Sequence, residues 1–334
     1  GHRRAIIVRH PEIVYMSQRI KIMRLKLASL FLTAAALAGL TGCTKHETPV
    51  SDAAAPLKVG IIPFDKVDAL KASFQQYADY LGKKSGRPSG EVYVTGNYAG
   101  ILTALRADQI DCAYLNPLSY VLAVQEYKDT PEHLIPLAMP YFHGSLTYKG
   151  IIYVRADSNI HTIKDLKGKS FAFGDQTSTS GYLYPAGMMK AAGIDPKTDL
   201  KSVNIPGNAG VMLVYSKQAD AGATYETGLE TAFTDQVTKK PDMSKVNQFR
   251  VIAETDPIPN GMFVARGNLD ATTLAKLQAA LADINSDPAG QAALKAIPQG
   301  GWGKMVPADD KAFDSVRSKA TILGLNLQSL DPKK

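Results

Sequence analysis

The chain has 334 residues, 45% of them hydrophobic, which is enough for a sizeable core and accommodates two lobes more comfortably than one. Its formal charge is +7, but residues 1–43 hold seven Lys/Arg against one acid, so the remainder carries only +1. The basic balance therefore gives no support for nucleic-acid binding, and no nucleic-acid partner is expected.

Met23-Arg24-Leu25-Lys26 is a short basic region, followed by the apolar stretch Leu27 to Leu40 and closed by Leu40-Thr41-Gly42-Cys43. This is the pattern of an export signal, since a spanning helix needs about twenty apolar residues. Its ending resembles a bacterial lipoprotein signal, in which Cys43 becomes the first mature residue and carries lipid. Residues 1–22 are set aside as upstream of the signal, so 1–43 form an upstream segment with a signal peptide. Residues 44–56 are polar and rich in Pro and Ala, a flexible tether. Only Cys112 then remains, so the mature chain has no intramolecular disulfide and is held by its core.

From Leu57 onward strands and helices alternate. Leu57–Ile62 is a strand, and Lys71–Lys83 places Phe74, Tyr77, Ala78 and Leu81 at helical spacing. Glu91–Val94 is a second strand, Tyr98–Ala107 a second helix, Ile110–Leu115 a third strand and Leu118–Glu126 a third helix. This order implies a parallel sheet with helices packed on it. Ile151–Val154 is the next strand, and a helical turn at 163–169 leads into the strand Ser170–Phe173. A helix then runs from about Ser178 to Ala192 and ends at Gly193. Strands follow at Ser202–Ile205, Ala219–Thr224, Val251–Ala253 and Met262–Ala265, with helices at Ala209–Ser216, Ala271–Ile284 and Ala308–Leu323. Gly300-Gly301-Trp302-Gly303 reads as a loop, with Trp302 packing on the first lobe.

The natural parse inserts one βα domain into another: residues 57–155 and 256–334 form lobe 1, and residues 156–255 form lobe 2. Two crossings make a hinge, and the cleft between the lobes is the default ligand site. Asp175-Gln176-Thr177-Ser178-Thr179-Ser180-Gly181-Tyr182 stands where a strand hands over to a helix. The first helical N–H groups lack intrahelical partners and carry the positive end of the macrodipole. Ser and Thr add neutral donors there, so the run is either a helix cap or half of an anion site.

Several segments, in order, resemble the phosphonate/phosphite-binding (PhnD-like) family of ABC-transporter solute-binding proteins. They are Asn97-Tyr98-Ala99-Gly100, Asp111-Cys112-Ala113-Tyr114 with Tyr120, Tyr148-Lys149-Gly150-Ile151, Asp165-Leu166-Lys167-Gly168-Lys169, Thr177 to Pro185, Asp220-Ala221-Gly222-Ala223 and Thr255 to Asn260. The resemblance implies an α/β, type II periplasmic-binding-protein fold, two βα lobes joined by a two-strand hinge. It also implies a small phosphorus oxyanion as ligand, an ABC permease as partner, no cofactor and no catalysis. Carried onto this chain, Ser178, Thr179 and Ser180 meet the phosphorus oxygens, with the Gly181 backbone nearby and Tyr98 and Tyr148 facing the ligand. Many members have a His where this chain has Asn208, which can donate but cannot titrate near neutral pH. Members that bind aminoalkylphosphonates place an acid where this chain has Gly261. That absence favours a small ligand without an amine: phosphite, methylphosphonate or phosphate. Glu226, and after it Asp175, are candidate carboxylates for accepting a P–OH hydrogen, and Asn116 is placed to reach the cleft.

Competing chemistry is thinly represented. Cys112 sits in an apolar strand, where a lone Cys is core. His46, His133, His143 and His161 are scattered without metal-ligand spacing, so no metal site is expected. No Gly-x-Ser-x-Gly elbow surrounds Ser180. The expectation is an exported, monomeric, lipid-anchored importer receptor at the periplasm or cell surface. The alternative is a lipoprotein that signals ligand to a membrane kinase.

Overall fold

Short apolar runs and amphipathic helices assemble into two sheets, each covered by helices on both faces. The computed structural model describes residues 54–297 and 302–326. Cys43, the signal segment, most of the tether and Gly300-Gly301 lie outside these residues. The first sheet contains β1 (Leu57–Ile61), β2 (Gly90–Val94), β3 (Cys112–Leu115), β4 (Leu134–Phe142), β12 (Met262–Arg266) and β13 (Trp302–Pro307), in the order β13-β4-β12-β3-β1-β2. The second contains β6 (Gly150–Arg155), β7 (Ser170–Phe173), β8 (Lys201–Asn204), β9 (Ala221–Tyr225) and β10 (Phe249–Glu254), in the order β10-β6-β9-β7-β8.

Neither sheet is wholly parallel, as the βα alternation had implied. β2, β1 and β3 run parallel, but β12 returns antiparallel between β3 and β4, and β13 pairs antiparallel with β4. In the second sheet β7, β8 and β9 are parallel, β6 runs against them, and β10, antiparallel to β6, runs with them. β6 and β12 are the strands that follow the two chain crossings directly, with no helix between.

The crossings are β5 (Thr147–Tyr148) and β11 (Ile258–Pro259), which pair antiparallel as a separate two-stranded sheet. β6 lies beyond this hinge and pairs along its length with β9 and β10. The expected lobe boundary at 155/156 therefore moves ahead of Gly150. Apolar periodicity marks a strand but does not say which sheet it joins.

On the first sheet, α1 (Val67–Lys84), α8 (Ala271–Asp283) and α9 (Pro288–Ala296) cover one face. α2 (Tyr98–Arg106), α3 (Pro117–Tyr127) and α10 (Asp314–Ile322) cover the other. α1 buries Phe74, Tyr77, Ala78 and Leu81, the residues its spacing had singled out. On the second sheet, α4 (Tyr184–Ala191) covers one face, and α5 (Ala209–Tyr215), α6 (Gly228–Ala232) and α7 (Met243–Val246) cover the other. The helix expected over 308–323 is a 3-10 turn at Asp310–Phe313 followed by α10. The loop expected at Trp302-Gly303 is the start of β13, and Trp302 packs edge-on against Phe74 and Tyr77.

Two of the family-like segments serve the sheets. Asp111 opens β3: its carboxylate accepts from the Lys58 N–H at 3.0 Å and from Arg266 at 3.1 Å, joining three strands. Asp220 does the same at the start of β9, accepting from the Ser170 N–H and hydroxyl at 2.9 and 2.7 Å. Cys112 is fully buried and free. Among the described residues, no helix is long and apolar enough to cross a membrane.

Candidate functional site

The hydroxyl run folds as a cap and a wide turn together. After β7 the chain makes a π-type turn at Thr179–Leu183 that leads directly into α4. Ser178 is its N-cap, accepting from the Gly181 N–H at 3.0 Å. Gly181 has no room for a side chain, because a Cβ there would lie 3.0 Å from the Gly174 Cα and 2.9 Å from the Ser178 hydroxyl.

These residues face a cleft between the two sheets with about 90 Å³ of free space. Since a buried water needs roughly 10–15 Å³ on the same measure, the cleft suits a small ion and not a large ligand. Ser178, Ser180 and Tyr225 line it from the second sheet, and Tyr148 from the hinge. Tyr98 and Asn116 line it from the N-termini of α2 and α3, and Tyr114, Phe142, Asn260 and Trp302 from the first sheet and its loops. Among the described lining residues there is no Lys, Arg, His or Glu, and Asp175 is the one carboxylate. An anion here would be met by hydroxyls and N–H groups alone, which still form charge-assisted hydrogen bonds.

The phenols stay protonated. Burial drives Tyr98 well above its usual range, and the nearby Asp175 carboxylate adds to the rise. Burial also raises Tyr148, although the Ser180 and Thr179 hydroxyls hydrogen-bonded to it oppose the rise. Tyr114 is pushed up to about 12 by burial. Each phenol therefore remains a neutral donor through the physiological range.

The same loop that carries the serines also crosses to the other lobe. The Asp175 carboxylate accepts from the Tyr98 N–H at 3.1 Å, at the start of α2. The Thr179 hydroxyl oxygen accepts from the Leu118 N–H at 2.9 Å, at the start of α3. The Asn116 amide donates to the Thr177 carbonyl at 2.9 Å. Thr179 is fully buried and does not line the cleft, so its hydroxyl bridges the lobes.

Other sequence candidates fall elsewhere. Glu226 follows β9, its N–H bonds the Lys149 carbonyl, and it is not among the cleft-lining residues. Its neighbour Tyr225 takes that place. Asp175 lines the donor end, and its carboxylate accepts from the Tyr98 N–H and from the Thr177 N–H and hydroxyl. Asn208 is buried beside the cleft, with its side chain bonded to Tyr225 and Thr224. Gly261 admits no acid at all: a Cβ there would lie 2.2 Å from the Leu115 carbonyl oxygen and 2.7 Å from the Tyr114 ring.

Tyr225 and Asn260 were missed by sequence reasoning. Both amide hydrogens of Asn260 are committed, to the Pro140 and Ser145 carbonyls at 2.9 and 2.8 Å, so its side chain can offer the cleft only an acceptor. The signal for Tyr225 was its place at the end of a strand, one residue from the acid that drew attention.

Two α/β lobes joined by a two-strand hinge, with a cleft whose described lining holds hydroxyl donors and no cation, are the architecture of the type II periplasmic-binding class. A family model described as "ABC transporter, phosphonate, periplasmic substrate-binding protein" matches residues 59–313, and the chain belongs to that family. It is 27% identical to the phosphate-import protein PhnD of Mycolicibacterium smegmatis over 325 residues, covering 90% of this chain and 98% of that one. It is also 27% identical to the phosphonates-binding periplasmic protein of Escherichia coli, covering 79% and 75%. Among solved structures, PhnD1 of Prochlorococcus marinus in complex with methylphosphonate superposes with a TM-score of 0.65 at 23% identity, over 80% of this chain and 98% of that one. That likeness attests the fold.

Proposed function

We propose that the protein is the substrate-binding component of an ABC importer for a small phosphorus oxyanion (phosphite, a short phosphonate or phosphate). It closes on the ligand and delivers it to a permease. The observation that carries this reading is the convergence of the Ser178, Ser180, Tyr98, Tyr148 and Tyr225 hydroxyls on a cleft whose described lining holds no cation. Neutral donors on both sides of a hinge bind an oxyanion by bridging it, and the bridge favours the closed arrangement. Asn260 adds an acceptor suited to the P–OH of a monoprotonated oxyanion, a hydrogen that sulfate lacks near neutral pH. Phe142, Trp302 and Ile297 form an apolar wall that accommodates a hydrogen or a short alkyl group better than an ammonium. The relatives reported above are named for phosphate import and for binding phosphonates, which supports this ligand class.

Calorimetric titration with phosphite, methylphosphonate, phosphate, aminoethylphosphonate and sulfate tests the reading. The expected order places one of the first three tightest and sulfate weakest. Tightest binding of the aminoethyl compound, or of sulfate, overturns it.

A further inference from the structure

Asn208 is buried beside the cleft, and its side chain is engaged at both ends. The Thr224 hydroxyl donates to the Asn208 Oδ1 at 3.1 Å, and the Asn208 Nδ2 donates to the Tyr225 phenol oxygen at 3.2 Å. Asn208 and Thr224 are 8% and 6% exposed, so water does not compete for these groups. The first bond sets the direction of the second. With a hydroxyl donating to the amide oxygen, the amide must present its nitrogen to Tyr225. A phenol whose oxygen already accepts on one side meets a partner on the other side as a donor. Tyr225 lines the cleft from the end of β9 beside Ser178 and Ser180.

We propose that Thr224, Asn208 and Tyr225 form a directional hydrogen-bond chain in which Asn208 is a positioning residue and Tyr225 is the anion donor at this corner of the cleft. The chain rests on the reading of the cleft as an oxyanion site. It replaces direct contact between Asn208 and the ligand with contact through the phenol. No imidazole takes part in the chain, so this corner donates one hydrogen bond at every pH at which the phenol is protonated. Cooperative polarisation along the chain strengthens the last donor.

A double-mutant cycle on the full chain tests this, with methylphosphonate, phosphite and phosphate as probes in calorimetry and the melting temperature of ligand-free protein as the folding control. Tyr225→Phe and Asn208→Ala are each expected to weaken the preferred probe about ten- to a hundred-fold, the loss of one hydrogen bond to a charged group. The double variant is expected to bind like Tyr225→Phe alone, because Asn208 acts only through the phenol. Thr224→Val, close in shape, is expected to weaken binding several-fold in the wild-type background and to be silent with Phe at 225. Equal losses from Asn208→Ala in both backgrounds would make Asn208 a direct ligand or a purely structural residue and overturn the proposal. An unchanged affinity in Tyr225→Phe overturns it as well. If Asn208→Ala does not fold, the Thr224→Val cycle decides by the same criterion. If the wild-type protein binds none of the three probes, the oxyanion reading of the cleft falls, and the chain falls with it.

Discussion

A hydroxyl is a weak partner for an anion in water, where it only exchanges one hydrogen bond for another. In a cleft closed around its ligand the exchange is no longer even, because a donor that loses its acceptor there has no room for a water to replace it. Ser180→Ala is therefore expected to weaken oxyanion binding by about 1.5–3 kcal/mol while leaving the melting temperature nearly unchanged, checked by calorimetry and a thermal melt. Gly261 behaves in the opposite way. Its missing side chain is a packing requirement, since a Cβ would collide with the β3 backbone at Leu115. Gly261→Asp is expected to destabilise the fold by about 1–3 kcal/mol without creating affinity for aminoethylphosphonate. Gain of that affinity in a stable variant would show that β3 yields and that the acid alone was lacking. Ser178 and Ser180 were legible because they stand at a helix start, whereas Tyr98 and Tyr148 were named from the family resemblance and not from a local pattern. Tyr225 was not legible, because the last residues of a strand can turn either way and the neighbouring Glu226 offered the more obvious chemistry.

At the scale of elements, the Asp175–Thr179 loop has two tasks. It carries the serines that line the cleft, and it caps two helices of the opposite lobe through Asp175 and Thr179. A carboxylate at the start of α2 gains from both the orphan N–H and the dipole. Asp175→Ala is expected to weaken ligand binding by about 1–2 kcal/mol although Asp175 is assigned no contact with the ligand, because the closed arrangement loses a cap. The measurement is the affinity of the variant, paired with scattering in saturating ligand. Full affinity in Asp175→Ala would sink the idea that the cap contributes to closure.

Element legibility divided along physical lines. Helices with a continuous apolar face, such as α1, α2 and α8, were found within a few residues of their bounds. β4 was missed because Pro136 and Pro140 interrupt its pattern. It is nonetheless an interior strand, and its prolines pair near register shifts, where a ladder tolerates a missing N–H. α9 was missed because it is short and follows closely on α8, with Asp287 as its cap and Pro288 opening its first turn.

At the scale of the molecule, two strands join the lobes, and ligand affinity is coupled to how they close. An oxyanion at a hundred times its dissociation constant is expected to stabilise the protein by about 2.7 kcal/mol, read as a rise in melting temperature that scales with the logarithm of ligand concentration. The buried phenols set the alkaline limit. Tyr114 ionises at about 12 in the folded chain and near 10 in an unfolded one, and Tyr77, Tyr98 and Tyr148 are raised in the same direction. The unfolded chain releases these protons first, so their contribution is present below about pH 10 and is lost as pH rises through the folded values. Stability followed by denaturant unfolding is expected to hold up to about pH 10 and then fall steeply.

By itself, the sequence determined the two-lobed α/β class and set a run of hydroxyls at the start of a helix. Both follow from local patterns: apolar spacing, chain alternation, and Ser or Thr at a helix start. Only the tertiary structure decided that β6 belongs to the second sheet, that Thr179 and Asp175 cap helices across the cleft, and that Asn208 turns its amide to Tyr225. These depend on which surfaces meet, and the partners of such a contact stand tens of residues apart, beyond the reach of any local pattern.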